Sequence, residues 1–148
     1  MCLRVDKTKP EVADSEIVCY KVLVENNGNC RSPFYEFEYE IGKKYSDKRE
    51  QVLEPCDDSP FWDCVYYGFH SYESYGDVNR LMELLYSNGE FIAELKNGGR
   101  FVVVKCIIPN GARYYRGQVD TGFLEEVSPD GSMPPGFVSD AIIIKEIL

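Results

Sequence analysis

One stretch of the chain is far more apolar than its surroundings and predicts a buried central strand. Phe101 to Ile108 is a run of mostly β-branched and apolar residues, interrupted only by Lys105. Gly98-Gly99 precedes the run and Pro109-Asn110-Gly111 follows it, which favours a short strand. A strand that is apolar on both faces needs neighbours at both edges and cover on both sides. We therefore expect the rest of the chain to fold around this segment.

Four further segments have the pattern of strands, and a fifth has the pattern of surface chain. Glu16–Glu25 and Ala112–Val119 are rich in β-branched and aromatic residues, and Ser139–Leu148 contains an isoleucine-rich run. Phe34–Ile41 alternates between glutamates and apolar or aromatic residues, which predicts a strand with one solvated face. Residues 1–15 are mostly polar and predict an N-terminal arm that lies over the surface.

Helical spacing occurs in the middle of the chain. Val78, Leu81, Met82 and Leu85 form one apolar stripe, which predicts a helix over Asp77–Tyr86. Glu90–Lys96 fits either a short second helix or the first arm of a hairpin, and we favour the helix. Two long loops are predicted, one over residues 46–60 and one over Asp120–Gly136, which is rich in proline and glycine.

The order of these elements predicts an α+β fold in a single domain over residues 1–148. Strands come early and late with helix between them, and the regular alternation of strand and helix typical of parallel sheets is missing. We expect a twisted, mostly antiparallel sheet, curled towards a half-barrel, with one or two helices packed on one face.

The net charge of −9 limits the classes of partner. It opposes general binding to nucleic acid or to an anionic membrane, and it permits a protein partner. The sequence has no apolar run of about 18 residues, as a membrane span requires. It also begins without an apolar signal segment, so we expect a cytoplasmic protein whose six cysteines stay reduced. We expect no metal and no cofactor.

His70, the only histidine, is the first candidate for chemistry. Ser71 and Ser74 follow it closely, and an imidazole beside hydroxyl groups suits a general base or a ligand contact. The simpler interpretation is that His70 is partly buried and bonded to a backbone carbonyl, and we favour it. Arg113, Tyr115 and Arg116 form a second candidate set, because arginine beside tyrosine suits an anion or a stacked base.

Several short motifs, taken together, resemble a family of small proteins from gut bacteria and their phages that has no assigned activity. The motifs include Cys19-Tyr20-Lys21-Val22, Gly68-Phe69-His70-Ser71, Cys106-Ile107-Ile108-Pro109 and Gly111-Ala112-Arg113-Tyr114-Tyr115-Arg116-Gly117. The resemblance covers about residues 16–147 and implies a single intact module. It transfers no catalytic residue, since the family has none assigned.

Two functions from different classes fit these observations. The first is a non-catalytic interaction or accessory module, favoured by the acidic charge, the aromatic content and the lack of a phosphate loop, nucleophile elbow or zinc-protease motif. The alternative is a small ligand-binding protein or enzyme that takes a nucleotide or another anionic ligand. Its cleft would lie between Gly68–Ser74 and Arg113–Arg116. A third interpretation, an acidic mimic of nucleic acid, is opposed by the 16 basic residues.

Overall fold

A computed structural model of the protein describes residues 2–5, 9–56, 59–93, 95, 98–120 and 132–148. Across these residues the chain forms thirteen strands and two helices. The strands are β1 (Cys2–Val5), β2 (Glu11–Val12), β3 (Ile17–Asn26), β4 (Asn29–Arg31), β5 (Glu38–Tyr39), β6 (Lys44–Ser46), β7 (Leu53–Cys56), β8 (Ser59–Val65), β9 (Phe69–Tyr72), β10 (Arg100–Ile108), β11 (Arg113–Asp120), β12 (Pro135–Ser139) and β13 (Ala141–Ile147). The helices are α1 (Tyr75–Ser87) and α2 (Gly89–Ala93).

The strands pair into one open sheet, and its described pairings are antiparallel. Its order is β6-β13-β10-β3-β9-β12-β11-β1-β8-β7, with the short strands β2, β4 and β5 added at the side. The end strands β6 and β7 pair with their single neighbours and leave the sheet unclosed. The predicted α+β class with a mostly antiparallel sheet is confirmed.

The apolar run at the centre of the sequence forms β10, as predicted. β10 lies between β13 and β3, and its residues 101–104 and 106–108 are buried. Cys106 stands opposite Cys19 on β3, and both are free, fully buried thiols. Such thiols act as small hydrophobic side chains.

Opposite faces of β3 and β10 carry separate hydrophobic clusters. The helix-side cluster contains Val22, Val24, Phe101 and Val103 from the two strands, and α1 adds residues of its apolar stripe to it. These α1 residues are Val78, Leu81 and Leu85. The second cluster contains Cys19, Leu23, Val102, Val104, Cys106 and Ile108. The predicted stripe of the helix is therefore buried, and the short second helix is present as α2.

The N-terminal residues differ from the predicted surface arm. Residues Cys2–Val5 form β1, which pairs with both β11 and β8, and Leu3 is fully buried. The side chain of Arg4 donates from Nε to Asp120 on β11 at 2.9 Å. Leu3 and Val5 alternate along the strand and are buried, and the charge of Arg4 is paired with the Asp120 carboxylate. A segment of mixed polarity can therefore lie inside the sheet.

The predicted strand over Phe34–Ile41 is wrong except at β5. The Ser32 hydroxyl accepts hydrogen bonds from the N–H groups of Phe34 and Tyr35, both at 3.3 Å. Such side-chain bonds offer the backbone an alternative to a ladder and favour a turn. Two strands also lie where loops were predicted, β7 and β12, while residues 121–131 of the second loop lie outside the described residues.

The cysteines are only partly in the predicted state. Cys19, Cys30 and Cys106 are free, whereas Cys64 on β8 is disulfide-bonded, so the expectation of six reduced thiols is wrong. The linear spacing of the cysteines does not reveal which of them come close together in the folded sheet. Within the described residues, neither helix is long and apolar enough to cross a membrane.

Ser74 has a structural role at the start of α1. Its hydroxyl accepts a hydrogen bond from the backbone N–H of Asp77 at 3.4 Å, which caps the helix. We expect Ser74→Ala to lower the free energy of unfolding by about 1 kcal/mol, the usual cost of losing such a cap. Urea denaturation measures this, with the exposed Ser87→Ala at the other end of α1 as control. Equal stability of the two variants would contradict the assignment.

Candidate functional site

Strand β12 lies between the two segments that were predicted to line a cleft. Tyr115 on β11 stands opposite Val138, and Val138 stands opposite His70 on β9. His70 and Tyr115 are thus two strands apart, about 10 Å at the usual strand spacing, with Val138 between them. The two segments are neighbours of one strand rather than facing walls of an opening.

His70 is buried and neutral. Its side chain is 7% exposed, and its Nε2 atom lies 3.3 Å from the carbonyl oxygen of Val65. Burial, followed by the positive charge of Lys21, lowers the pKa of His70 to about 3. The favoured interpretation of this residue, a buried imidazole bonded to a backbone carbonyl, is confirmed.

The other predicted site residues do not converge. Ser71 is 1% exposed, and Tyr115 is 4% exposed within the helix-side cluster. Arg116 is exposed and forms a bidentate ion pair with Glu73, with nitrogen–oxygen distances of 2.8 to 3.0 Å. Arg113 is exposed, and its backbone N–H donates to the Asp140 carboxylate at 2.9 Å. Two of these residues, Ser71 and Tyr115, are buried in the fold, and the two arginines lie on its surface. They do not line one pocket.

A different opening lies beside Gly68, Phe69 and His70, on the face of β3 that carries the second cluster. This groove has a volume of about 570 Å³. Its walls carry six aromatic residues, and we call it the aromatic groove: Tyr35, Phe37, Tyr39, Tyr66, Tyr67 and Phe69. Four of these side chains, those of Tyr35, Phe37, Tyr66 and Tyr67, are between 39% and 55% exposed.

One wall of the groove is a packed set of rings. The ring centre of Phe37 lies 4.8 Å from that of Tyr39 and 6.1 Å from that of Phe69. Tyr45 packs edge-on against Tyr39 at 5.2 Å, and its hydroxyl accepts from the N–H of Glu40 at 2.7 Å. Edge-to-face packing of this kind stabilises aromatic clusters by about 0.5–1.5 kcal/mol per pair beyond area burial. The wall is therefore held in shape before any ligand arrives.

Lys21 brings a buried positive charge to the groove. The residue is 9% exposed, and its Nζ atom donates to the carbonyl oxygen of His70. Nζ also lies 5.7 Å from the ring centre of Tyr39. Among the described residues, no carboxylate forms an ion pair with it. A buried cation is normally paired, so an ammonium group without a counter-ion marks a place for an anion.

Asp47 fixes the other charged side of the groove. Its carboxylate accepts from Arg49 at 2.7 to 3.2 Å, and the Arg49 guanidinium lies 4.5 Å from the ring centre of Tyr67. Hydrogen bonding to Arg49 lowers the pKa of Asp47, and the backbone N–H of Gly68 contributes to the same effect. One carboxylate thus connects Arg49, Tyr67 and the Gly68 turn.

Gly68 is the one position where the groove needs a glycine. Its φ of +108° lies in the left-handed region. A Cβ atom there would stand 2.8 Å from both the carbonyl oxygen of Ser139 and Cγ1 of Val138. The chain can therefore pass this close to β12 and reach the groove only without a side chain.

The sequence contained a weak signal for this site. Lys21 is the only charged residue between Ile17 and Val24, and a lysine on an apolar strand marks an unusual environment. Its aromatic neighbours come from residues 35–39 and 66–69. No periodic pattern in the sequence predicts that these two segments lie together. Among the described residues, no group of three or more His, Cys, Asp or Glu side chains is placed to hold a metal ion.

Comparison with protein-family models, with curated proteins and with solved structures found no match for this chain. The resemblance to a family from gut bacteria and phages therefore stays a prediction. The candidate function has to be argued from the groove itself.

Proposed function

We propose that the protein is a small, non-catalytic binding module that takes a ring-bearing ligand into the aromatic groove. The observation that carries this proposal is the convergence of six aromatic residues and one buried ammonium group around about 570 Å³. Small-ligand sites typically enclose about 300–1,000 Å³, with mostly apolar walls and a few polar groups. Aromatic walls favour a ligand with a flat ring, because rings pack well edge-on or stacked.

The state of His70 supports a module without catalysis. A general base works best when its pKa lies near the operating pH. His70 has a pKa of about 3 and a buried ring. It is the only histidine in the chain, so the usual proton acceptor of enzymes is not available to a ligand in the groove. The buried imidazole therefore favours recognition over histidine-dependent proton transfer at the groove.

We infer that the sheet curls around α1 as a half-barrel, with the helix on its concave face. Leu3, Val65 and Val22 come from β1, β8 and β3, and all three belong to the helix-side cluster together with Leu81. In the sheet order, β3 and β8 are five strands apart. At about 4.8 Å per strand, a flat sheet would keep them roughly 24 Å apart. Curling leaves the opposite face free for the groove.

A protein partner is the second candidate. The rim residues Tyr35, Phe37, Tyr66 and Tyr67 are exposed to an extent that is typical of contact surfaces. A partner that places an apolar side chain in the groove must compete with a small aromatic compound for the same space. Displacement of bound indole by the partner is the measurement that favours this candidate over a small-ligand function.

The cytoplasmic location remains a prediction. The disulfide bond of Cys64 argues against a strongly reducing compartment, because cytosolic thiols are kept reduced. Counting the free thiols in protein purified under alkylating conditions distinguishes a reducing compartment from one that permits the disulfide.

Indole binding tests the proposed function. We expect titration with indole to produce chemical-shift changes at groove residues. We expect Phe37→Ala to weaken binding by about tenfold, since one stacked ring contributes about 1–3 kcal/mol and Phe37 lines the groove with 41% exposure. Trp62→Ala is the matched control, because Trp62 is 42% exposed and does not line the groove. If Phe37→Ala and Trp62→Ala bind indole as well as the unchanged protein does, the groove is not the site.

A further inference from the structure

The charge of the groove differs in sign from that of the chain. Its lining contains three cationic side chains, Lys21, Lys48 and Arg49, and two acidic ones, Glu36 and Asp47. The chain as a whole carries a net charge of −9. An excess of positive charge at one concave place on an acidic protein favours a negatively charged ligand there.

Of the three cations, Lys21 is the one whose charge is least compensated by a carboxylate or by water. Arg49 is already neutralised by the Asp47 carboxylate. Lys48 is exposed, so water solvates its charge. Lys21 is 9% exposed, and its described hydrogen bond goes to the carbonyl oxygen of His70, which carries no net charge. A group buried to this extent is solvated less well than Lys48, and its residue lines the groove. An ammonium group has three donors, and the described hydrogen bond uses one of them.

We propose that the aromatic groove binds a ring-bearing carboxylate, with the carboxylate on Nζ of Lys21 and the ring against Phe37, Tyr39 and Phe69. This inference rests on the proposed binding function and names the ligand class. A carboxylate carries the single negative charge that one ammonium group balances. A phosphate ester carries about two charges and is best held by the fork of an arginine, and Arg49 has its fork on Asp47.

The ring of the ligand has a defined place. Tyr39 lies beneath Nζ of Lys21 at 5.7 Å, and Phe37 and Phe69 extend the aromatic wall from Tyr39. A ligand whose carboxylate contacts Lys21 therefore has its ring beside this wall when one or two bonds separate the two groups. Indole-3-acetate has that separation, and indole-3-acetamide is its neutral counterpart.

Calorimetric titration of the full chain with four compounds tests the inference. The compounds are indole-3-acetate, indole-3-acetamide, AMP and adenosine. We expect indole-3-acetate to bind at least about tenfold more tightly than indole-3-acetamide, because a charge-assisted hydrogen bond is stronger than a neutral one. We expect Lys21→Met to remove this difference. We expect Lys145→Met, which makes the same change in net charge at an exposed position outside the groove lining, to keep it.

The possible outcomes separate the inference from the proposed function. Equal binding of indole-3-acetate and indole-3-acetamide, or a preference that survives in Lys21→Met, would overturn the role of Lys21 and leave the aromatic groove as a binding site. Tighter binding of AMP than of indole-3-acetate would overturn the carboxylate assignment. If none of the four compounds binds at millimolar concentration, the proposed function fails and the inference fails with it. Thermal melting of Lys21→Met checks that the variant is folded.

Discussion

Gly68→Ala should lower the free energy of unfolding by about 3 kcal/mol, because backbone strain and overpacking each cost about 1–3 kcal/mol. The strain comes from the φ of +108°, which L-residues rarely adopt. The overpacking comes from a Cβ atom 2.8 Å from the Ser139 carbonyl oxygen and from Cγ1 of Val138. The Ser139 oxygen belongs to a paired strand and cannot move aside cheaply.

Urea denaturation of Gly68→Ala and Gly89→Ala measures the effect with a matched control. A Cβ atom at Gly89 meets nothing within 4 Å, and its backbone is helical, so we expect a change within about 0.5 kcal/mol. Gly68 also takes part in the hydrogen bonding of Asp47, so we expect Gly68→Ala to weaken indole binding as well. Equal stability of the two alanine variants would contradict the close packing of this turn on β12.

Acidification should destabilise the protein through His70 by about 2 kcal/mol between pH 7 and pH 5. In the unfolded chain a histidine has a pKa of about 6.5, whereas His70 in the folded chain has a pKa of about 3. The unfolded state therefore takes up the proton first, and stability falls as the pH drops from about 6.5 towards 3. Each pH unit of acidification inside that window lowers the free energy of unfolding by about 1.4 kcal/mol.

Denaturation at pH 7 and pH 5 measures this loss, and His70→Gln serves as the control because glutamine does not titrate. We expect the variant to lack the contribution of His70 to the pH dependence, while its carboxylates contribute as before. A direct measurement is also available, since His70 is the only histidine. Its imidazole NMR signals should stay in the neutral form down to at least about pH 4. A titration midpoint near 6.5 would show that His70 is solvated and would return it to the candidates for a general base.

The parts of the fold that could be predicted are those in which a local pattern decides the structure. β10 was predicted because its apolar residues leave no solvated face, and α1 was predicted because Leu81 and Leu85 continue one stripe. Phe34–Ile41 had an equally clear alternation, but the Ser32 hydroxyl and the packing of Phe37 on Tyr39 favour a turn over an extended ladder. Local pattern failed where side-chain contacts outside the segment decided its shape.

The site was harder to predict than the fold, because its parts come from distant segments. Lys21, Tyr39, Asp47 and Tyr67 meet only after β3, β6 and β9 have taken their places in the sheet. The predicted cleft was built from residues that are neighbours along the chain. One set was an arginine beside tyrosines, and the other was a histidine beside serines. The order of the strands placed β12 between those two sets, and strand order is a property that periodicity does not encode.

The position of β1 has a consequence for how the chain acquires its structure. β1 joins β11 on one side and β8 on the other, and the Arg4–Asp120 pair connects positions 116 residues apart. Such long-range pairing slows folding, because the entropy of closing the loop is lost before contacts compensate for it. On the ribosome, β1 emerges before β11 and must wait for it. Until then β7 and β8 can pair with β1 but not with the rest of the sheet, and a chaperone that shields the open edge of β1 would favour correct assembly.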